Sequence, residues 1–211
     1  MLEQVVFVPE CHVGTALAQV LLADRLTFIN HQKSISKVAR VLQAQAASDR
    51  GPRFVVGMVD KDKKFDDIKY LRPFAGSRPV AARTGPDCRY CIYQHPAHQG
   101  HYLIVLDPAC DTWIFEPAQA AGLNLANFEL PTTLTGFIDM VKDEDAEDSP
   151  QLKKLLRAIR QAQPVAYREL AGFVADVMDE NSKLWRRLQP HKKGDFPMGG
   201  RLFCVVRVDV A

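Results

Sequence analysis

Residues 54–62 read FVVGMVDKD, an apolar run that ends in an Asp-Lys-Asp triplet. A short, continuous apolar run of this kind is typical of a strand that is buried on both faces of a parallel sheet. Two similar runs come earlier in the chain, VVFVP at 5–9 and TFIN at 27–30. Helical spacing of apolar residues over 14–26 and again over 35–50 separates the three runs. This alternation predicts βαβ crossovers and a parallel sheet with helices on its faces.

The rest of the chain extends this plan. HYLIVLD at 101–107 predicts a fourth strand, whereas 111–211 reads as mainly helical and ends in a strand-like run at 201–210. Between the third and fourth strands, 61–101 shows no regular period and is rich in Pro, Gly and Arg. We therefore predict an α/β fold with a mostly parallel, Rossmann-like sheet in 1–110, a long basic loop at 61–101 and a helical appendage in 111–211.

Two helix starts carry clear local signals. Ser34 stands directly before the apolar face of the second helix and is a predicted N-cap. Ser149-Pro150 combines an N-cap residue with proline at the first helical position, where proline is favoured. The helix that begins there is expected to bury four apolar residues on one face, namely Leu152, Leu155, Leu156 and Ile159.

Composition excludes several classes of protein. The chain has 211 residues, 47% of them hydrophobic and 25% charged, which excludes intrinsic disorder and collagen-like repeats. Its five cysteines, an odd number without an export signal, predict reduced thiols rather than a disulfide framework. No stretch approaches the roughly 20 apolar residues of a bilayer span, so we expect a cytoplasmic protein with no membrane partner.

Acidic residues follow two of the predicted strands. Glu10 comes directly after the first strand, and Asp60 and Asp62 follow the third. If the first strand lies between the second and the third, these carboxylates converge at one edge of the sheet. Three convergent carboxylates form a hard oxygen site suited to Mg²⁺ or Mn²⁺, and such metals activate water for attack on a phosphodiester.

These residues carry a resemblance to a known family. FVPE at 7–10 and FVVGMVDKD at 54–62, with a βα unit between them, resemble the topoisomerase-primase (Toprim) fold, and most of all the small nucleases of the overcoming-lysogenization-defect type. The resemblance implies Glu10, Asp60 and Asp62 as catalytic metal ligands of a Mg²⁺-dependent nuclease. It also implies a nucleic-acid substrate, DNA or RNA, and a role in phage defence. Cys11 stands where the family usually has glycine.

Other functions remain open at this point. The stretch VGTAL at 13–17 lacks an acidic residue that many members of that family have, which favours a catalytically silent Toprim-like subunit that binds a partner ATPase or forms a homo-oligomer. Asp60 and Asp62 also resemble the nucleophile and acid of haloacid-dehalogenase-like phosphatases. A glycosyltransferase that holds a metal-bound nucleotide sugar through Asp-x-Asp is a further alternative. Asp107, after the fourth strand, is a substitute for the missing carboxylate.

The segment 61–101 suggests two further sites. Its positive charge is concentrated in 63–89, with 7 basic and 3 acidic residues, although the net charge of the whole chain is only +2. Arginines that alternate with aromatic residues suit a nucleic-acid cradle. These residues are Arg72, Arg78, Arg83, Arg89, Tyr70, Phe74 and Tyr90. The same segment carries Cys88 and Cys91, followed by His95, His98 and His101, a spacing too tight for the usual structural zinc site.

Some noticeable residues have simple interpretations. His12, beside Glu10, is either a proton shuttle or, as histidines in βα turns usually are, a turn residue. The acidic run DEDAED at 143–148 precedes a helix and is expected to form a solvated loop. Trp113 and Trp185 lie in helical patterns and are expected in the core or an interface.

Overall fold

A computed structural model describes residues 5–22, 28–48, 54–61, 65–85, 88–142 and 146–188. The sheet has six strands in the order β2-β1-β3-β6-β5-β4. The strands are β1 (Val6–Pro9), β2 (Phe28–Ile29), β3 (Val55–Asp60), β4 (Ala81–Arg83), β5 (Arg89–Gln94) and β6 (His101–Asp107). The first four in this order run parallel, and β5 and β4 are antiparallel to their neighbours. The predicted α/β class is confirmed, and β1 lies between β2 and β3, which is the arrangement that the convergence of the carboxylates requires.

Helices cover both faces of the sheet. They are α1 (His12–Leu21), α2 (Ile35–Ala46), α3 (Arg72–Ala75), α4 (Cys110–Ala120), α5 (Leu134–Val141), α6 (Pro150–Ala162) and α7 (Val165–Leu188). On one face, α2 and α3 pack on alternate residues of the parallel strands, such as Val8 and Val59. On the other face, α1 and the helices of the second half share one core with the intervening residues, such as Phe7 and Met58.

The predicted helix starts are confirmed in detail. The hydroxyl of Ser34 accepts a hydrogen bond from the backbone N–H of Lys37 at the start of α2. Ser149 accepts one from Leu152 in the same way, with Pro150 as the first residue of α6. The four apolar residues predicted for the inner face of α6 are all buried.

Gly57 allows α2 to lie close to the centre of the sheet. A Cβ atom at this position would lie 2.8 Å from Cδ1 of Leu103 and 2.9 Å from Cδ1 of Leu42. Contacts this short do not occur between real Cβ atoms and their neighbours, so both leucines would have to move. The glycine therefore sets the distance between α2 and β3, the strand that carries Asp60.

The prediction of one long loop over 61–101 is wrong for much of that segment, because it contains α3, β4 and β5. β5 pairs with β6 along its whole length, and its Tyr90 and Ile92 are buried on one face. The alternation in Tyr90-Cys91-Ile92-Tyr93 was the strand signal, and the nearby Pro, Gly and charged residues obscured it. The predicted strand at 201–210 lies outside the described residues. No helix in the described part of the chain is long and apolar enough to cross a membrane.

Candidate active site

Glu10 and Asp60 lie at the same edge of the sheet. Glu10 directly follows β1, and Asp60 is the last residue of β3, which pairs in parallel with β1. The backbone N–H of Glu10 continues this pairing by donating to the carbonyl of Met58, at 2.9 Å. The predicted convergence of these two side chains therefore follows from the strand order. Asp62, the third predicted ligand, lies outside the described residues.

Both carboxylate oxygens of Glu10 accept backbone hydrogen bonds. Oε1 accepts from the N–H of Ile35, the first residue of α2, at 3.0 Å. Oε2 accepts from the N–H of Asp60 at 3.2 Å. Glu10 thus connects the end of β3 to the positive end of the α2 dipole, which favours a negative group.

Asp60, like Glu10, accepts a hydrogen bond from the first residue of a helix. Its Oδ1 accepts from the N–H of Cys110, the first residue of α4, at 2.8 Å. The preceding residue, Ala109, occupies the N-cap position but has no side chain to cap the helix. Asp60 therefore supplies the cap from the neighbouring strand, and this bond orients its carboxylate at the edge of the sheet that also carries Glu10.

Two thiols lie beside this edge. Cys11 caps α1, with its sulfur accepting from the N–H of Gly14 at 3.2 Å. A hydrogen bond with Cys11, followed by complete burial, holds the pKa of Cys110 well above its usual value. Cys110 is therefore a protonated thiol at neutral pH, which makes it a poor nucleophile.

Asp107 is paired with two cations. Nζ of Lys61 lies 2.8 Å from its Oδ2, and Nη2 of Arg89 lies 3.3 Å from its Oδ1. The carboxylate is mostly shielded, with 20% of the side chain exposed. These pairs compensate its charge, so its contacts favour an ion-pair role over the metal-ligand role considered for it from the sequence.

A cavity of about 300 Å³ opens next to these pairs. Three cationic side chains line it, Lys61, Arg83 and Arg89, together with Thr84, Tyr90, Cys91, Tyr93, Val105 and Asp107. We call this cavity the basic pocket. Arg83 also pairs with Glu169 at 3.3 Å, and the hydroxyl of Tyr90 donates to the same carboxylate. Burial, and then the charge of Glu169, raises the pKa of Tyr90 to about 12.

The basic pocket contains only part of the predicted nucleic-acid cradle. Arg83, Arg89 and Tyr90 line it, whereas Arg72 belongs to α3 and donates from Nε to the carbonyl of Asp66. Tyr70 and Phe74 pack against histidines at the opposite end of β5. The extended strand β5, which pairs with β6 along its whole length, lies between the residues of the basic pocket and the aromatic residues Tyr70 and Phe74.

The predicted cysteine and histidine cluster is also divided. Cys88 precedes β5 and is buried in the core, Cys91 lines the basic pocket, and His95 follows the strand. At about 3.3 Å per residue, the seven steps from Cys88 to His95 span roughly 23 Å. The thiols and the histidines therefore do not form one zinc site.

The three histidines pack around Tyr70 instead. Its ring stacks on that of His95, with centroids 5.1 Å apart, and its hydroxyl lies 3.2 Å from Nδ1 of His101. Burial, and then the neighbouring His98 and His95, lowers the pKa of His101 to about 4. Burial and His98 also lower the pKa of His95.

We expect this histidine cluster to make the fold sensitive to acid. The unfolded chain binds a proton at His101 with a pKa of about 6.5, whereas the folded chain resists protonation down to about 4, so stability falls as the pH drops through this window. Between pH 7 and pH 5 the expected contribution is about 2 kcal/mol. Urea unfolding of the wild type and His101→Gln at both pH values measures it. Glutamine retains a polar partner for Tyr70, and equal losses in both proteins would contradict the prediction.

A third group of side chains lies beside Glu10. His12 is the first residue of α1 rather than a turn residue, and His31 lies just after β2. Both Nδ1 atoms are close to Oε2 of Glu147, at 3.5 Å for His12 and 3.4 Å for His31. Burial, and then the proximity of His12, lowers the pKa of His31. Glu147 belongs to the run expected to form a solvated loop, but 26% of its side chain is exposed and it faces the two rings.

Comparison of the chain with protein-family models, curated proteins and solved structures finds no match to any of the three.

Proposed function

We propose that this chain is a Toprim-like nuclease that hydrolyses phosphodiester bonds of DNA or RNA with the help of Mg²⁺ or Mn²⁺. The observation that supports it best is the meeting of Glu10 and Asp60 at one sheet edge, next to a pocket lined by three cations. Glu10, Asp60 and Asp62 are the proposed metal ligands. A role in phage defence is part of this proposal and comes from the sequence resemblance.

The donor set suits a hard divalent cation. Carboxylate oxygens are the protein ligands that Mg²⁺ prefers, and it usually takes one or two of them. Each carboxylate oxygen has two lone pairs, so a backbone N–H bond to an oxygen of Glu10 or Asp60 does not by itself exclude a metal on the same atom. When bound, the metal would lower the pKa of a water and polarise the phosphodiester.

The chain itself supplies anchoring and charge. Lys61 directly follows Asp60, and Arg89 and Arg83 line the same basic pocket. A phosphate that enters the basic pocket can replace Asp107 as the partner of the guanidinium and ammonium groups. Groups of this kind suit phosphate recognition. The helix contacts of Glu10 and Asp60 hold both carboxylates in place, so the site is pre-organised before substrate binds.

Cleavage of labelled DNA and RNA, single- and double-stranded, with Mg²⁺ or Mn²⁺ tests the proposal with wild type and Asp60→Asn. Asparagine retains an acceptor for the N–H of Cys110 but removes the charge, so the fold is expected to survive. Loss of one metal ligand is expected to lower the rate by about 100-fold or more. Asp67→Asn, on an exposed residue of the same segment, is the matched control and is expected to cleave normally.

Wild-type protein that cleaves no nucleic acid with either metal would refute the nuclease proposal, as would full activity in Asp60→Asn. Accumulation of an aspartyl-phosphate at Asp60 with small phosphate esters would point instead to the phosphatase alternative.

One observation favours a second function, a catalytically silent subunit that binds a partner protein such as an ATPase. Both carboxylate oxygens of Glu10 are already engaged by backbone amides, and the stretch 13–17 contains no further carboxylate. Under this alternative the carboxylates only hold helices in place. It predicts no Mn²⁺ binding at this edge, which isothermal titration calorimetry of wild type against Asp60→Asn measures.

A further inference from the structure

His12, His31 and Glu147 come together from three separate elements. His12 begins α1, His31 follows β2, and Glu147 lies in the short 3-10 helix Ala146–Asp148 before α6. One nitrogen from each ring and one oxygen of the carboxylate all lie within 4.8 Å of one another. Among the described residues, this is the one group of three or more histidine, cysteine or acidic side chains whose possible ligand atoms lie that close together.

Two of the proposed ligand atoms of this group are buried without hydrogen bonds. Nδ1 of His12 and Oε2 of Glu147 are shielded from solvent and have no hydrogen-bond partner among the described residues. The rings are nearly perpendicular, with centroids 4.2 Å apart, so they do not stack face to face. Buried polar atoms that lack partners are rare in folded proteins, and a bound ion is one way in which such atoms are satisfied.

We propose that His12, His31 and Glu147 bind one tetrahedral divalent transition-metal ion, of which Zn²⁺ is the expected one. The ligand atoms would be the two Nδ1 atoms and Oε2 of Glu147. Two histidines and one glutamate are a known zinc ligand set, with water in the fourth position.

The observed spacing fits a tetrahedral ion. With metal–ligand distances of about 2.0–2.1 Å, tetrahedral ligands lie about 3.4 Å apart, whereas octahedral ligands around Mg²⁺ lie about 2.9 Å apart. The two nitrogen–oxygen distances are 3.4 and 3.5 Å. Imidazole nitrogens also favour Zn²⁺ over Mg²⁺, so this site and the carboxylate pair would select different metals.

An ion at this position would connect distant parts of the chain. It would hold the 3-10 helix before α6 against the start of α1 and against the segment that leads from β2 into α2. Glu10 immediately precedes Cys11 and His12, and it also holds Ile35 in α2. The zinc site would therefore stabilise the edge of the sheet that carries Glu10, without itself being part of the proposed nuclease site.

The test uses the full chain, purified, stripped of metal with a chelator and titrated with Zn²⁺. We expect one zinc per chain by elemental analysis, a higher melting temperature with zinc, and the intense visible absorption of tetrahedral Co²⁺ after cobalt substitution. Glu147→Gln and His31→Ala are expected to weaken zinc binding by at least about 10-fold to 100-fold. Asp148→Asn, next to Glu147 but 81% exposed, and His98→Ala are the matched controls and are expected to bind normally.

Wild type that takes up no zinc, or a cobalt spectrum typical of octahedral coordination, would refute the site, and so would unchanged affinity in Glu147→Gln. This substitution is nearly isosteric, so it decides the result if His31→Ala fails to fold. Asp60→Asn keeps the zinc ligands and is expected to bind zinc normally. Failure of the nuclease proposal and failure of the zinc site are therefore distinguishable.

Discussion

Replacement of Trp113 by alanine is expected to lower the free energy of unfolding by about 3–5 kcal/mol. Trp113 lies in α4, is 1% exposed, and belongs to the core that joins α1, the sheet and the helices of the second half. Its removal would leave a large cavity in the part of the core that supports the first turn of α4 and hence the cap supplied by Asp60. Chemical denaturation followed by circular dichroism measures the loss without depending on tryptophan fluorescence.

Trp113→Phe separates packing from hydrogen bonding at this position. Nε1 of Trp113 is buried and has no partner among the described residues, so the N–H itself costs stability. Phenylalanine keeps most of the apolar volume and removes this N–H. We expect a loss of about 1 kcal/mol or less. Equal losses in the alanine and phenylalanine variants would show that the aromatic packing contributes little, contrary to the prediction.

The central strands and the best helix starts could be predicted because their signals are local. β1 and β3 are continuous apolar runs, and Ser34 and Ser149-Pro150 are short capping motifs whose partners lie three residues away. Their mutual position followed from a general property of such sheets: the carboxyl ends of neighbouring parallel strands lie together. For this reason the meeting of Glu10 and Asp60 could be predicted, whereas the hydrogen bonds that hold them could not.

The parts that could not be predicted depend on long-range contacts. His12, His31 and Glu147 are separated by up to 135 positions, and no spacing rule connects them. The pairing of β5 with β6 brings Arg89 to Asp107, which changes the interpretation of both residues. The same pairing separates Cys88 from His95, although they are close in sequence. Sequence proximity was misleading here because an extended strand lies between the two residues.

Replacement of Glu10 by alanine is expected to lower the free energy of unfolding by about 2–4 kcal/mol. It removes the acceptor of two backbone N–H groups, those of Ile35 and Asp60, and a negative charge at the positive end of α2. Glu116→Ala is a matched control, because within the described segments this glutamate accepts from one backbone N–H, that of Cys88. Urea unfolding monitored by circular dichroism should show a smaller loss in Glu116→Ala than in Glu10→Ala.

Glu10→Gln then separates support of the fold from metal binding. Its single carbonyl oxygen can accept one of the two N–H groups, whereas its NH₂ group would face the other, so an intermediate loss of stability is expected. If Glu10 is a metal ligand, Mg²⁺-dependent cleavage falls sharply in Glu10→Gln even at temperatures where the variant is fully folded. If Glu10 only connects β1, α2 and β3, cleavage at those temperatures stays near the wild-type rate, and the proposed ligand set is wrong at this position. Activity that changes only in proportion to the folded fraction would lead to the same conclusion, because a structural role acts through the population of the native state.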